Sequence, residues 1–201
     1  IFSARTARHK SALDAALFPD QVPVSVYDNL VSSVRRHIPA LARFVKRNGE
    51  LIGVDNMRMI DLYVPAVEGF DIKLPFDEAY DLVVDALSVL GEDYQAILRQ
   101  AREERWIDVY ENEGKSAGAY SWGTYGTHPY VLLNYKENLD SVLTIAHEMG
   151  HSVHTYLSNR HHPYLDAEYS LFVAEVASTT NEILVLRALM QRYKNDPQAQ
   201  A

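Results

Sequence analysis

The segment 139–157 constrains the fold more than any other part of the sequence, because its apolar residues recur with the period of a helix. Residues three and four positions apart lie on one face of an α-helix. The segment therefore predicts a helix that starts at about residue 138 and stops near Asn159. Its apolar face consists of Leu139, Val142, Leu143, Ala146, Gly150, Val153 and Leu157.

Three of the chain's 8 histidines lie on this helix, and two of them have the spacing of metal ligands. His147 and His151 are one helical turn apart, so both imidazoles can approach one point. Glu148 lies about 100° further round the axis and flanks that point. This is the H-E-x-x-H pattern, in which two histidines bind zinc and the glutamate is the general base. Gly150 costs about 1 kcal/mol relative to alanine in a helix, which is compatible with a close approach by another element.

His154 is less suited to bind the same ion. It lies about 10.5 Å along the helix axis from His147, whereas zinc–nitrogen bonds are only about 2.0–2.1 Å long. Three ligands on one straight helix would be nearly collinear, and tetrahedral zinc needs its third ligand off that line. We therefore expect His154 to support the ligands from outside or to pack against neighbouring residues.

The third ligand must be His, Asp or Glu, because the chain contains no cysteine. Glu175 is the favoured candidate, since it lies on a second predicted helix, 168–193, that can return antiparallel to the first. Its neighbours are apolar, and a buried acid is costly unless it is paired or bound to a cation. Glu182 either accepts a hydrogen bond from a ligand imidazole or is a surface carboxylate. The other candidates are His161, His162, Asp166 and Glu168.

The rest of the chain predicts a mainly α fold with one β-rich segment. Residues 113–135 are rich in Gly, Ser, Thr and Tyr, and they end in the β-favouring run 130–133. This composition predicts a short hairpin, near 117–135, or a loop leading into an edge strand. Residues 1–201 are interpreted as a single partial domain, with a helical scaffold over 1–110 and the metal-binding part over 111–201. The expected scaffold helices are 3–17, 26–37, 39–49, 54–64, 75–91 and 94–110.

Charge and hydropathy exclude two classes of partner. The formal net charge is −8, and the basic residues are scattered, which argues against a nucleic-acid backbone as the partner. No apolar run approaches the roughly 20 residues of a membrane span. The absence of cysteine is compatible with a cytoplasmic location.

Several stretches resemble a known family. HEMGHSVH at 147–154, followed by FVAEVASTTNE at 172–182, is similar to the oligoendopeptidase F branch of the thimet-oligopeptidase-like zinc metallopeptidases. MRMIDLYVPAV at 57–67 and ERWIDVYENEGKSAGAYSWGTYGTHPYVLLNY at 104–135 resemble the same branch.

The resemblance implies a helical catalytic core like that of thimet oligopeptidase and neurolysin, with a channel that admits short peptides. It implies one Zn2+ per chain, bound by His147, His151 and Glu175, with Glu148 activating a zinc-bound water as general base. The branch is typically bacterial and intracellular. Its members also use a Tyr- and His-bearing segment that would follow these 201 residues. We therefore expect a fragment of a larger peptidase, with missing N- and C-terminal parts as its partners.

Two further hypotheses concern how a peptide substrate is bound and whether the protein is an enzyme or a binding module. The run 130–133 is expected to align a peptide as an added strand, with the loop 118–126 as a flap. Tyr120, Tyr125 and His128 are candidates for substrate binding and equally for packing. The competing hypothesis is a helical binding or scaffold module with a structural or vestigial zinc site, which would require four protein ligands.

Overall fold

The computed structural model describes residues 1–64 and 73–195. The chain separates into two compact units, Ile1–Gly69 and Phe70–Ala201. The prediction of one partial domain with its boundary at residue 110 stays a prediction.

The first unit is helical over its described residues. Its elements are α1 Phe2–Thr6, α2 Ala12–Leu17, α3 Val24–Ile52 and a 3-10 turn at Met59–Tyr63. The predicted helix 3–17 is therefore wrong as one element: a new helix begins after Ser11, whose side chain accepts a hydrogen bond from the Asp14 N–H. The predicted helix 54–64 is reduced to the short 3-10 turn.

The break predicted at Pro39 is also wrong. α3 continues through Pro39 and ends before Gly53, which has a left-handed φ of 72°. A proline in a helix interior leaves the carbonyl four residues earlier without its usual donor. That residue, Arg35, lies on an exposed stretch of α3, where water can hydrate the carbonyl.

The second unit contains the remaining helices and the sheet. Its elements are α4 Phe76–Ala86, a 3-10 turn Leu87–Leu90, α5 Glu92–Glu103, β1 Ile107–Asp108, β2 Tyr120–Trp122, β3 Tyr130–Leu132, α6 Leu139–His161, a 3-10 turn Tyr164–Asp166 and α7 Leu171–Arg192. The predicted mainly α fold with a small hairpin is confirmed.

The sheet corrects two local predictions. Its strand order is β1–β3–β2, so β3 pairs on both sides and is not the edge strand that the sequence predicted. β2 pairs antiparallel and β1 pairs parallel with β3, so among the described strands each of these two has one unpaired edge. The helix predicted to reach residue 110 stops at Glu103, because Arg105 has a φ of 59° and β1 follows directly.

α6 and α7 pack closely and antiparallel in the second unit. A Cβ added to Gly150 would lie 2.7 Å from the Ser178 Cα and 2.9 Å from the Ala177 carbonyl oxygen. Asn138 caps the start of α6 by accepting a hydrogen bond from the Ser141 N–H. The core of this unit contains large buried side chains, among them Ile145 and Met149 of α6 and Tyr80, Leu98 and Trp106 from other segments.

Among the described helices, none combines the length and the apolar character that crossing a membrane requires.

Candidate metal centre

Two histidines of α6 and one glutamate of α7 converge on a common point. The Nε2 atoms of His147 and His151 lie 3.1 Å apart. Glu175 Oε2 lies 3.5 Å from the first of these nitrogens and 3.6 Å from the second. One donor atom from each residue falls within 4.8 Å of the others, which forms a group that could hold a metal ion. We call this group the metal triad.

Helix geometry explains this convergence. His147 and His151 are one turn apart on the same face of α6, and their rings meet edge to face with centroids 4.7 Å apart. Gly150 has no side chain on the face towards α7, so α7 approaches closely enough for Glu175 to reach both rings.

Glu182 fixes the orientation of the first histidine. Its Oε1 lies 2.5 Å from His147 Nδ1. Because a carboxylate only accepts hydrogen bonds, Nδ1 of the neutral ring carries the proton and Nε2 presents a lone pair to the triad. The sequence left two alternatives for Glu182, a hydrogen bond to a ligand imidazole or a surface carboxylate. In the structure, Glu182 is within hydrogen-bond distance of His147.

The electrostatics of the triad suit a cation between its members. Burial lowers the pKa of His151, and the neighbouring His147 lowers it further, so the ring favours its neutral form. The Ser178 hydroxyl donates to Glu175 Oε2 at 2.7 Å and holds the pKa of this carboxyl below its usual range. The Nε2 atoms of both imidazoles and one carboxylate oxygen therefore face one another.

Glu175 reaches the triad for a different reason from the one argued from sequence. Its side chain is 56% exposed, not buried. The apolar neighbours that suggested burial, among them Leu171, Phe172 and Val176, are exposed as well. The close approach of the two helices at Gly150 positions Glu175, and no hydrophobic surroundings force it to bind a cation.

Glu148 lies next to the triad in a different environment. It is only 6% exposed, and this burial raises the pKa of its carboxyl. The neighbouring His147 and the nearby Ser121 backbone N–H oppose that rise. Glu148 also lines a cavity of about 300 Å3 together with His147 and Glu182.

A pair of serines, which the sequence analysis missed, joins the hairpin to α6. The Ser121 and Ser152 hydroxyl oxygens are 2.8 Å apart, and Ser152 donates to the Glu148 carbonyl oxygen at 2.9 Å. Ser152 is completely buried. The only indication of this contact in the sequence was the position of Ser152, five residues after His147 on the buried face of the helix.

Most of the other residues that the sequence suggested for substrate binding or ligand support make packing contacts or hydrogen bonds within the chain. The His154 ring stacks on Tyr169 with centroids 3.8 Å apart. His128 stacks on Trp106, and the Tyr125 hydroxyl donates to the His162 carbonyl oxygen. Tyr120 is exposed on β2.

The amino-acid sequence of this chain is similar to those of known peptidases. The model of a family described as Peptidase family M3 matches residues 2–201. The chain is 45% identical to oligopeptidase PepF of Bacillus subtilis over 98% of its length, and 39% identical to group B oligopeptidase PepB of Streptococcus agalactiae over 97%. It spans only 29% and 32% of these two relatives, respectively.

Solved structures of two peptidases superpose on this chain. The crystal structure of oligoendopeptidase-F from Enterococcus faecium superposes with a TM-score of 0.57 at 29% identity, covering 98% of this chain and 27% of that one. PZ peptidase A superposes with a TM-score of 0.76 over 90% of this chain and 33% of that one. At 19% identity, this second likeness concerns the fold alone.

Proposed function

The chain belongs to peptidase family M3, and we propose that it carries the zinc-binding and catalytic side chains of a metalloendopeptidase that hydrolyses short peptides. One observation carries the proposal: three protein donors converge beside a buried glutamate that immediately follows the first histidine. The proposed zinc ligands are His147, His151 and Glu175, and the proposed general base is Glu148.

The donor set suits zinc. Two imidazole nitrogens and one carboxylate oxygen are a common set for catalytic zinc, which keeps its fourth position open. The competing hypothesis of a closed structural site needs a fourth protein ligand. Among the residues that the structure describes, the group contains three. When bound, zinc lowers the pKa of a water and polarises the scissile carbonyl.

Glu148 is suited to move the proton. Its raised pKa allows the carboxylate to accept a proton from the attacking water and later to deliver it to the leaving amine. The serine pair holds the backbone to which the carboxylate is attached, because Ser152 donates to the Glu148 carbonyl oxygen and Ser121 contacts Ser152. Glu182 meanwhile keeps the His147 lone pair directed at the triad.

The open edge of β2 provides a way to align a peptide. The sequence assigned this role to 130–133, but β3 already pairs on both sides. Among the described strands, β2 has an unpaired edge. The hydroxyl of its middle residue, Ser121, is 2.8 Å from that of Ser152, which donates to the Glu148 carbonyl oxygen. A substrate that adds to β2 as a further strand would therefore pass the general base. A cytoplasmic location stays a prediction.

The substitution Glu148→Gln tests this proposal. It removes the base without removing a zinc ligand, so zinc content measured by atomic emission should stay at one equivalent. Hydrolysis of a quenched fluorescent peptide should fall by a factor of about 100 or more. The assay is run on the 201-residue chain and on a version extended to the length of its relatives, with Glu103→Gln on the exposed end of α5 as the control. Near-unchanged hydrolysis by the zinc-loaded Glu148→Gln protein would refute the base assignment.

A further inference from the structure

A second cavity, of about 510 Å3, adjoins the hairpin and the end of α6. We call it the aromatic cavity. It extends from Ser121, whose hydroxyl is 2.8 Å from that of Ser152 on α6, along residues 122–125, and its far wall is the turn 164–169. A peptide paired with the open edge of β2 would therefore place one of its side chains at the mouth of this cavity.

Aromatic rings form the walls of this cavity. Trp122, Tyr125, Tyr164 and Tyr169 all line it. Tyr125 and Tyr164 meet edge to face with centroids 5.5 Å apart. Tyr169 is held between the His154 ring and the Thr155 hydroxyl, which is 2.7 Å from its own hydroxyl. Trp122 is 71% exposed, so its ring is available to a ligand.

The charge of the lining is negative. Glu168 is the single acidic residue, and no basic residue is present, among the described lining residues. Within the described part of the chain, no Lys, Arg or His side chain lies within ion-pair distance of Glu168. Aromatic faces attract cations, and a guanidinium combines stacking on a ring with paired hydrogen bonds to a carboxylate.

We propose that the aromatic cavity is a substrate subsite for a cationic side chain, with arginine as the preferred residue. This inference rests on the proposed peptidase function, and it assigns a substrate class to the surface beside the metal triad. An aromatic or aliphatic side chain would fill the same walls but would leave Glu168 unused, so the charge of the ligand separates the two possibilities.

Peptide binding to the Glu148→Gln chain, loaded with zinc, tests the inference without turnover. Short peptides carry either arginine or the neutral isostere citrulline, at one position at a time. Binding is followed by tryptophan fluorescence, because Trp106 is buried and Trp122 lines the cavity. At one position, arginine should bind about 3- to 10-fold more tightly than citrulline, the range of an exposed ion pair plus a cation–π contact.

Two further variants locate the effect. Glu168→Gln should reduce the arginine preference to what the aromatic rings alone supply, whereas Asp166→Asn, an exposed acid of the same turn that does not line the cavity, should leave it unchanged. Equal binding of arginine and citrulline peptides at every position, or an arginine preference that Glu168→Gln does not reduce, would overturn the subsite. Hydrolysis of the same peptides is measured in parallel with the unsubstituted protein extended to the length of its relatives. Cleavage without arginine preference refutes the subsite alone, and absence of both binding and cleavage in this extended protein refutes the peptidase proposal too.

Discussion

Two helices of this protein, α3 and α6, each contain a glycine at which a side chain would collide with backbone, but the causes differ. At Gly49 in α3, an added Cβ would lie 2.7 Å from the Val54 carbonyl oxygen and 2.9 Å from the Met57 Cγ. At Gly150 in α6, it would lie 2.7 Å from the Ser178 Cα. The first obstacle belongs to the turn that ends the same helix, and the second belongs to another helix.

This difference indicates the structural role of each glycine. Gly49 is the only buried residue of α3, and it lets the chain fold back at the helix end. Gly150 sets the distance between α6, which supplies two members of the metal triad, and α7, which supplies the third. Each glycine therefore marks a close approach of backbone, within one turn at Gly49 and between two helices at Gly150.

Removal of a triad side chain should give the largest effect. Glu175→Ala is expected to raise the zinc dissociation constant more than about 100-fold, which exceeds the effect of losing an outer hydrogen-bond partner. Isothermal titration with zinc and a competing chelator measures the change. Glu50→Ala, which removes an exposed acid of α3 that pairs with Arg47, should leave zinc binding unaltered. A similar dissociation constant for both variants would remove Glu175 from the triad.

Gly150→Ala should weaken both the fold and the site. Alanine favours the helix by about 1 kcal/mol, but its methyl group meets rigid backbone of α7, and overpacking typically costs about 1–3 kcal/mol. We expect a net loss of about 1–2 kcal/mol in the free energy of unfolding. Zinc affinity should fall about tenfold, because separating the helices separates the ligands. Urea unfolding and zinc titration give the two values. Full zinc affinity in this variant would show that helix spacing does not control the triad.

Gly49→Ala should reduce stability without affecting zinc. The nearest obstacle is again backbone, but the Met57 side chain can move aside, so a loss of about 1 kcal/mol is expected. Urea unfolding followed by circular dichroism measures the loss, and the zinc dissociation constant should equal that of the unsubstituted chain. A weakened zinc site here would mean that both glycines serve the metal triad.

Pro39→Ala should give the smallest effect, and in the opposite direction. The substitution restores one backbone donor inside α3 and removes the strain of a proline in a helix, which can reach about 3 kcal/mol. Because the freed carbonyl lies on an exposed stretch, we expect a gain of only about 0.5–1 kcal/mol. Slower hydrogen exchange of amides near residue 39 measures this gain. Unchanged or faster exchange would show that proline is better accommodated in α3 than the exposed carbonyl implies.

The predictions from sequence succeeded where a pattern is local and failed where neighbours decide. The helix at 139–157 and the pairing of His147 with His151 follow from helical spacing, and the structure has both. Pro39 and residues 105–110 were wrongly interpreted because local propensity does not reveal continuation of a long helix or pairing with a distant strand. Glu175 was chosen partly for a burial that it does not have.

The amino-acid sequence by itself determined a helix with two imidazoles on one face and a carboxylate beside them, because residues four apart on a helix must be neighbours. Only the tertiary structure decided which strands lie at the sheet edges, which acid completes the triad, that Glu182 orients His147 and that Ser121 contacts Ser152. Those contacts join residues about 30 positions apart in the chain, and their distances are set by the packing of α7 and the hairpin on α6.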